Sequence, residues 1–292
     1  MSSLELVKLT ALMEITSGRG ETIVGLIDGS VAKEHSGLVG ENIRDLTGQF
    51  NSQCSQTIGP ACMHGTFVAG ILCGKRESVA PAICPNCTLL VRPIFAGTTV
   101  GSEQMPSATP EELAAAIIEC IDAGARVLNL SLALTQPSSQ TQRELEEALD
   151  YAARRGVLTV AASGNQGTLG SSPITRHPGV IPVVACDFQG RPISHSNLGS
   201  STGRRGLSAP GNDVTSLGAE GKPLTLSGTS VAAPFVTGAI ALLWSEFPTA
   251  TTTEVKFAVT QAYGLRRTTV VPPLLDAWGA YQVMAKTFPK RR

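Results

Sequence analysis

The chain has 292 residues, 42% apolar and 16% charged, with 23 Lys and Arg balanced by 23 Asp and Glu. That composition excludes a disordered chain, and the zero net charge excludes a dedicated nucleic-acid binder working through a basic face. The 30 glycines and 18 prolines suit an α/β fold with many tight turns better than a helical bundle. No apolar run approaches the ~18 residues of a membrane span, and no membrane partner is expected. The N-terminal stretch MSSLELVKLTALMEITSGRG carries Glu5 and Lys8 and no small-residue cleavage site. It is not a secretory signal, so the expected location is the cytoplasm. Seven cysteines cannot all pair, and reduced thiols are the cytosolic default. Among Cys54, Cys62, Cys84 and Cys87, zinc ligation, a disulfide and unpaired thiols all stay open.

In chain order, Thr22–Ile27 reads as a β-rich strand ending at Asp28-Gly29, and Thr88–Phe95 as a second. Between them, His64-Gly65-Thr66 opens a helical run of small and apolar residues. Thr109 is a helix N-cap, Pro110 fits the first helical position, and Glu111 and Glu112 suit the first turn. That helix stops at Gly124. Strand Arg126–Leu132 follows. A helix over Thr141–Arg155 ends at Gly156, and strand Val157–Ala162 begins at once. Val180–Ala185 is another strand. Ser230–Phe247 reads as a long buried helix and Thr252–Ala262 as a further one. Strand and helix in alternation with short joins predict a parallel sheet covered on both faces. One domain over 1–292 is expected, with its core at about 22–248 and C-terminal helices beyond.

In such sheets the chemistry gathers at the carboxyl ends of strands. A serine hydroxyl is a weak nucleophile that needs a general base, and the base needs an orienting acid. Of the four histidines, His64 sits where small neighbours leave space around its ring. Ser230, in GTSVAAP, places a hydroxyl at a helix N-terminus, where free N–H groups favour negative charge. Asp28 ends an apolar strand, shielded from water, with Gly29 permitting a sharp turn. Singly, each has a structural reading: a turn aspartate, a hydrogen-bonding histidine, a capping serine. Their joint occurrence favours chemistry.

Four segments, IVGLIDGS, CMHGTFVAGIL, VLTVAASGNQG and LSGTSVAAPFVTGAIALL, resemble the subtilisin-like serine peptidases in type and order. The resemblance implies the subtilisin-like three-layer α/β fold, with a twisted, mainly parallel sheet between helices. It implies that Asp28 orients His64, that His64 is the base and Ser230 the nucleophile, and that Asn165 donates its amide to the oxyanion. It places Ser131, Leu132, Ala133 and Gly164 beside the substrate peptide. Counting forward from Asn165 without gaps puts Arg176 at the base of the P1 pocket, where an inward guanidinium would prefer an acidic side chain. Arg176 facing solvent is the competing reading, and His177 is a candidate for packing on the pocket wall. His35 and His195 are read as structural.

Several features depart from the family pattern. Gly29 stands where Thr or Ser is common, and Ala133 where Gly is usual. Gly74–Asn86 carries one acid, Glu77, so no calcium loop is expected there, nor any metal or cofactor elsewhere. With twenty-seven residues before Asp28, no folding propeptide is expected. The IDG and CMHGT stretches and the cysteines are similar to those of maturation proteases of cyanobactin-type pathways. The expected function is an intracellular serine endopeptidase processing a restricted precursor peptide. A general turnover protease, a catalytically silent peptide-binding module and a small-molecule esterase are the alternatives. The oligomeric state is not readable from the sequence.

Overall fold

The computed structural model describes residues 1–46, 54, 59–95, 108–131, 142–260 and 268–288. Two short N-terminal helices, α1 (Ser3–Leu6) and α2 (Leu9–Ile15), precede strand β1 (Ile23–Asp28). Then come β2 (Ile43–Asp45), α3 (Pro60–Cys73), β3 (Thr88–Pro93), α4 (Pro110–Asp122) and β4 (Val127–Leu130). They are followed by α5 (Gln142–Arg154), β5 (Leu158–Ala162), α6 (Pro173–Arg176), β6 (Val180–Cys186), α7 (Ser200–Arg205) and β7 (Leu207–Pro210). The chain continues through the β8 (Val214–Leu217) and β9 (Pro223–Leu226) hairpin, α8 (Thr229–Glu246), α9 (Thr252–Thr260) and α10 (Ala277–Thr287).

Among the described residues, seven strands pair in parallel in the order β2-β3-β1-β4-β5-β6-β7. The strands from β3 through β7 are buried along their whole length, which is why β3 to β6 read as mainly apolar runs rather than alternating ones. One face of the sheet packs Val24, Leu26, Val160 and Val183 against Phe67 and Ile71 of α3 and Phe235 and Ile240 of α8. The other face packs Ile27, Leu128, Leu130 and Ala161 against Leu113 and Ile117 of α4 and Leu145 and Leu149 of α5. This is the predicted three-layer α/β architecture.

Winding reverses at β1, which lies between β3 and β4. In an open parallel sheet such a reversal leaves a crevice at the carboxyl ends of the strands. Asp28 is the last residue of β1 and pairs in register with Pro93, the last of β3. α3 is drawn tightly onto this end. A Cβ on Gly29 would lie 1.9 Å from the Ala61 carbonyl oxygen, and one on Gly65 would lie 2.5 Å from the carbonyl oxygens of Gly29 and Ser30. Gly29 is therefore a packing residue: any side chain there would push α3 off the sheet.

The helix carrying His64 begins at Pro60, a turn earlier than HGTFVAG suggests, because Pro fits the first helical position. Cys54 and Cys62 are joined by a disulfide, while Cys84 and Cys87 are buried thiols, as are Cys73, Cys120 and Cys186. Residues 74–86 run back along α3, with Ile83 and Cys84 donating to the carbonyls of Ile71 and Leu72. Among the described residues no helix is long and apolar enough to cross a membrane.

Candidate active site

Asp28, His64 and Ser230 meet at the crevice. Asp28 is fully buried. Its Oδ1 accepts from the Gly29 N–H at 2.6 Å and lies 2.7 Å from His64 Nδ1. Its Oδ2 has no partner among the described residues. His64 sits in the second turn of α3, with 12% of its side chain exposed, and its Nε2 lies 3.0 Å from Ser230 Oγ. With Nδ1 donating to a buried carboxylate, Nε2 is the acceptor that faces the serine hydroxyl. Burial pulls the imidazole toward its neutral form, but the Asp28 charge and the hydrogen bond to it together outweigh burial and raise the pKa.

Ser230 is the second residue of α8, so its N–H has no intrahelical acceptor and stands free beside Oγ. Gly228 precedes the helix at φ +146°, a conformation favouring glycine. Asn165 follows β5, and its Oδ1 accepts from both the Thr229 N–H and the Thr229 hydroxyl, each at 2.9 Å. That pair of bonds fixes the amide flip and leaves Nδ2 as a donor on the Gly228 side. Thr229 Oγ1 also accepts from the Gly164 N–H at 3.1 Å, so one threonine ties the end of β5 to the start of α8.

The loop after Asn165 is clasped by Asn197. Its Oδ1 accepts from the N–H groups of Gln166 and Thr168 at 3.0 and 3.1 Å, and its Nδ2 donates to Gln166 Oε1 at 2.6 Å. The sequence reading missed Thr229 and Asn197. Thr229 was visible only as a neighbour of Ser230, and nothing marks Asn197 locally.

Ser131 follows β4 and donates its hydroxyl to the Ser230 carbonyl at 2.9 Å. Gly164 lies in the left-handed region at φ +102° against Asn197. Leu132 and Ala133 lie outside the described residues. Arg176 requires a correction: it is exposed at the end of α6 and does not point inward. Ser172 caps a helical turn over Pro173–Arg176, which leaves the arginine at the surface, the competing solvent-facing reading. His177 is the residue turned inward; its Nδ1 accepts from the Gly179 N–H and its Nε2 lies 3.1 Å from Asp150 Oδ1 on α5. His35 Nδ1 accepts from the Gly37 N–H inside its own turn.

Residues 19–275 match the family model for the Subtilase family, Peptidase_S8, and the chain belongs to that family, whose class is the subtilisin-like serine endopeptidase. It is 32% identical over 236 residues to a thermophilic serine proteinase of Bacillus sp. (strain AK1), covering 80% of this chain and 54% of that one. The chain thus spans about half the length of the first curated relatives it matches. Two solved structures are similar throughout. A mutant of the protease domain of PatA superposes with a TM-score of 0.81 at 29% identity, over 92% of this chain and 97% of the other. The prenylagaramide maturation protease PagA does so with a TM-score of 0.80 at 27% identity, over 94% and 98%.

Proposed function

We propose that this chain cleaves peptide bonds through an acyl-enzyme formed on Ser230. The observation that carries this reading is the His64 ring, held between the buried Asp28 carboxylate and the Ser230 hydroxyl at 2.7 and 3.0 Å. His64 Nε2 takes the Ser230 proton as Oγ attacks the scissile carbonyl, and then returns that proton to the leaving amine. Water, deprotonated by the same nitrogen, releases the acyl group. Asp28 keeps the proton on Nδ1 and stabilises the imidazolium. The Ser230 N–H and Asn165 Nδ2 donate to the oxyanion; loss of one such donor typically costs ~10²–10³ in turnover.

The substrate is a restricted precursor peptide rather than cellular protein at large. The support is similarity: PagA, 27% identical, is named a maturation protease, and so is PatA, whose own structure is 29% identical. A fluorophosphonate probe should label Ser230 in wild type and leave Ser230→Ala unlabelled. Absence of labelling in the folded wild type would favour a silent peptide-binding module. Digestion of a diverse peptide library should then yield a narrow set of cut sites; broad cleavage would turn the reading to general turnover.

A further inference from the structure

Beneath the nucleophile runs a line of buried polar side chains that the triad chemistry does not use. Ser230 lies four residues before Pro234 in α8. The Ser230 carbonyl would normally accept from the N–H four residues on, and proline has none. Ser131 fills that vacancy with its hydroxyl at 2.9 Å. Asn129 Nδ2 donates to Ser131 Oγ at 2.6 Å, and the Thr237 hydroxyl donates to Asn129 Oδ1 at 2.8 Å, with the Ala233 carbonyl also near at 3.3 Å. Asn129 and Thr237 are wholly out of solvent and Ser131 nearly so.

The order of donation in this line is fixed. The single proton of Ser131 goes to the Ser230 carbonyl, so Ser131 must accept from its other neighbour. Asn129 therefore turns its NH2 toward Ser131 and its oxygen toward Thr237, and the Thr237 proton meets that oxygen. Remove the Thr237 hydroxyl and a buried amide oxygen is left without a donor; the side chain then gains by turning, and Ser131 loses its donor.

We infer that Thr237 and Asn129 are positioning residues: with Ser131 they form a one-directional relay that holds the Ser230 peptide group for attack. The Gly228–Thr229 peptide, one unit before the peptide that leads into Ser230, is already held by Asn165 through the Thr229 N–H. Fixing the Ser230–Val231 peptide through its carbonyl restrains the short stretch Thr229–Ser230 at both ends, and with it both Oγ and the free N–H. The inference rests on Ser230 being the nucleophile. Displacements of ~1 Å at such a site can cost 10²-fold, and a relay acting at one remove should cost about tenfold.

Thr237→Val keeps the shape and removes the hydroxyl, whereas Thr237→Ser keeps the hydroxyl. In each, the fluorophosphonate labelling rate of Ser230, and kcat and KM on a chromogenic peptide that wild type cleaves, are measured alongside the melting midpoint. Thr237→Val should lower kcat and the labelling rate about tenfold, with KM and the acidic limb of the pH profile unmoved, while Thr237→Ser stays within about twofold of wild type. If Thr237→Val does not fold, Thr237→Ala carries the same comparison. In a double-mutant cycle with Ser131→Ala, the effects on kcat should be strongly less than additive. A folded Thr237→Val with wild-type kcat, equal losses in the Val and Ser variants, or an additive cycle would overturn the relay. Failure of wild type to label would instead count against Ser230 as nucleophile.

Discussion

On the proposed mechanism His64 gives the site its pH dependence. Catalysis needs the neutral ring, and the Asp28 charge keeps it protonated to higher pH than a free histidine. The acidic limb of kcat/KM should therefore have its midpoint above about 6.5. Asp28→Asn removes both influences that raise the pKa and leaves burial, which lowers it. The limb should shift to below about 6.5 while the plateau falls by orders of magnitude; a pH–rate profile whose limb stays in place would break the pairing. Stability runs the opposite way. The raised pKa contributes stabilisation that is full below the unfolded value near 6.5 and fades as pH rises through the folded one. The pair thus supports the fold most where the enzyme is idle. Asp28, His64, Asn165 and Ser230 were legible because each sits among neighbours with their own steric or capping demands, such as HGT or GTSVAAP. Arg176 was not, because a position counted across a variable segment depends on whether a helical turn intervenes. Thr237 and Asn129 were not, because a threonine in an apolar helix and an asparagine in an apolar strand show their partnership only after folding.

The join between β1 and α3 is where element packing sets the chemistry. Gly29 and Gly65 let two backbones approach so closely that Asp28 and His64 meet within hydrogen-bonding reach. Gly29→Ala forces a methyl group against the Ala61 carbonyl, and α3 must retreat. Overpacking of this kind costs about 1–3 kcal/mol, so the melting midpoint should fall. The His64 to Asp28 separation should grow too, so activity per folded molecule drops, measured by active-site titration at a temperature where the variant is folded. An unchanged turnover would show that α3 tolerates the shift. The long buried strands and capped helices were readable from apolar runs, Thr109-Pro110 and the glycine stops. β2, β8 and β9 were missed: they are three or four residues long and partly exposed, so no apolar run marks them. β7 was missed because a buried strand of four residues, ending in proline, is too short to stand out. α1 and α2 were missed because that stretch was weighed only as a secretory signal and rejected, and neither helix is long enough to show a clear period.

At the scale of the molecule, four separated stretches of chain must converge before any chemistry is possible. Asp28 comes from β1 at the winding reversal, His64 from the helix that leads into β3 on one side of it, Asn165 from the end of β5 on the other, and Ser230 from α8. Every residue of α8 is buried except Ser230 and Glu246. Trp244 near its far end is held by its own bond to the Ala250 carbonyl, with the Arg126 guanidinium 4.6 Å above the ring. A helix enclosed this way cannot fray by itself, because exposing it means parting it from β4, β5, β6 and β7 together. Its amides should therefore exchange with deuterium only through the global opening of the protein, slower than those of α5, α9 or α10. Sub-denaturing heat or denaturant would then loosen the periphery while the nucleophile stays housed. Cutting power should persist, nearly undiminished, until the whole molecule gives way at once. Residual activity and α8 exchange plotted against denaturant should fall on one curve; activity lost well before α8 opens would place the weak point in the loops around the site.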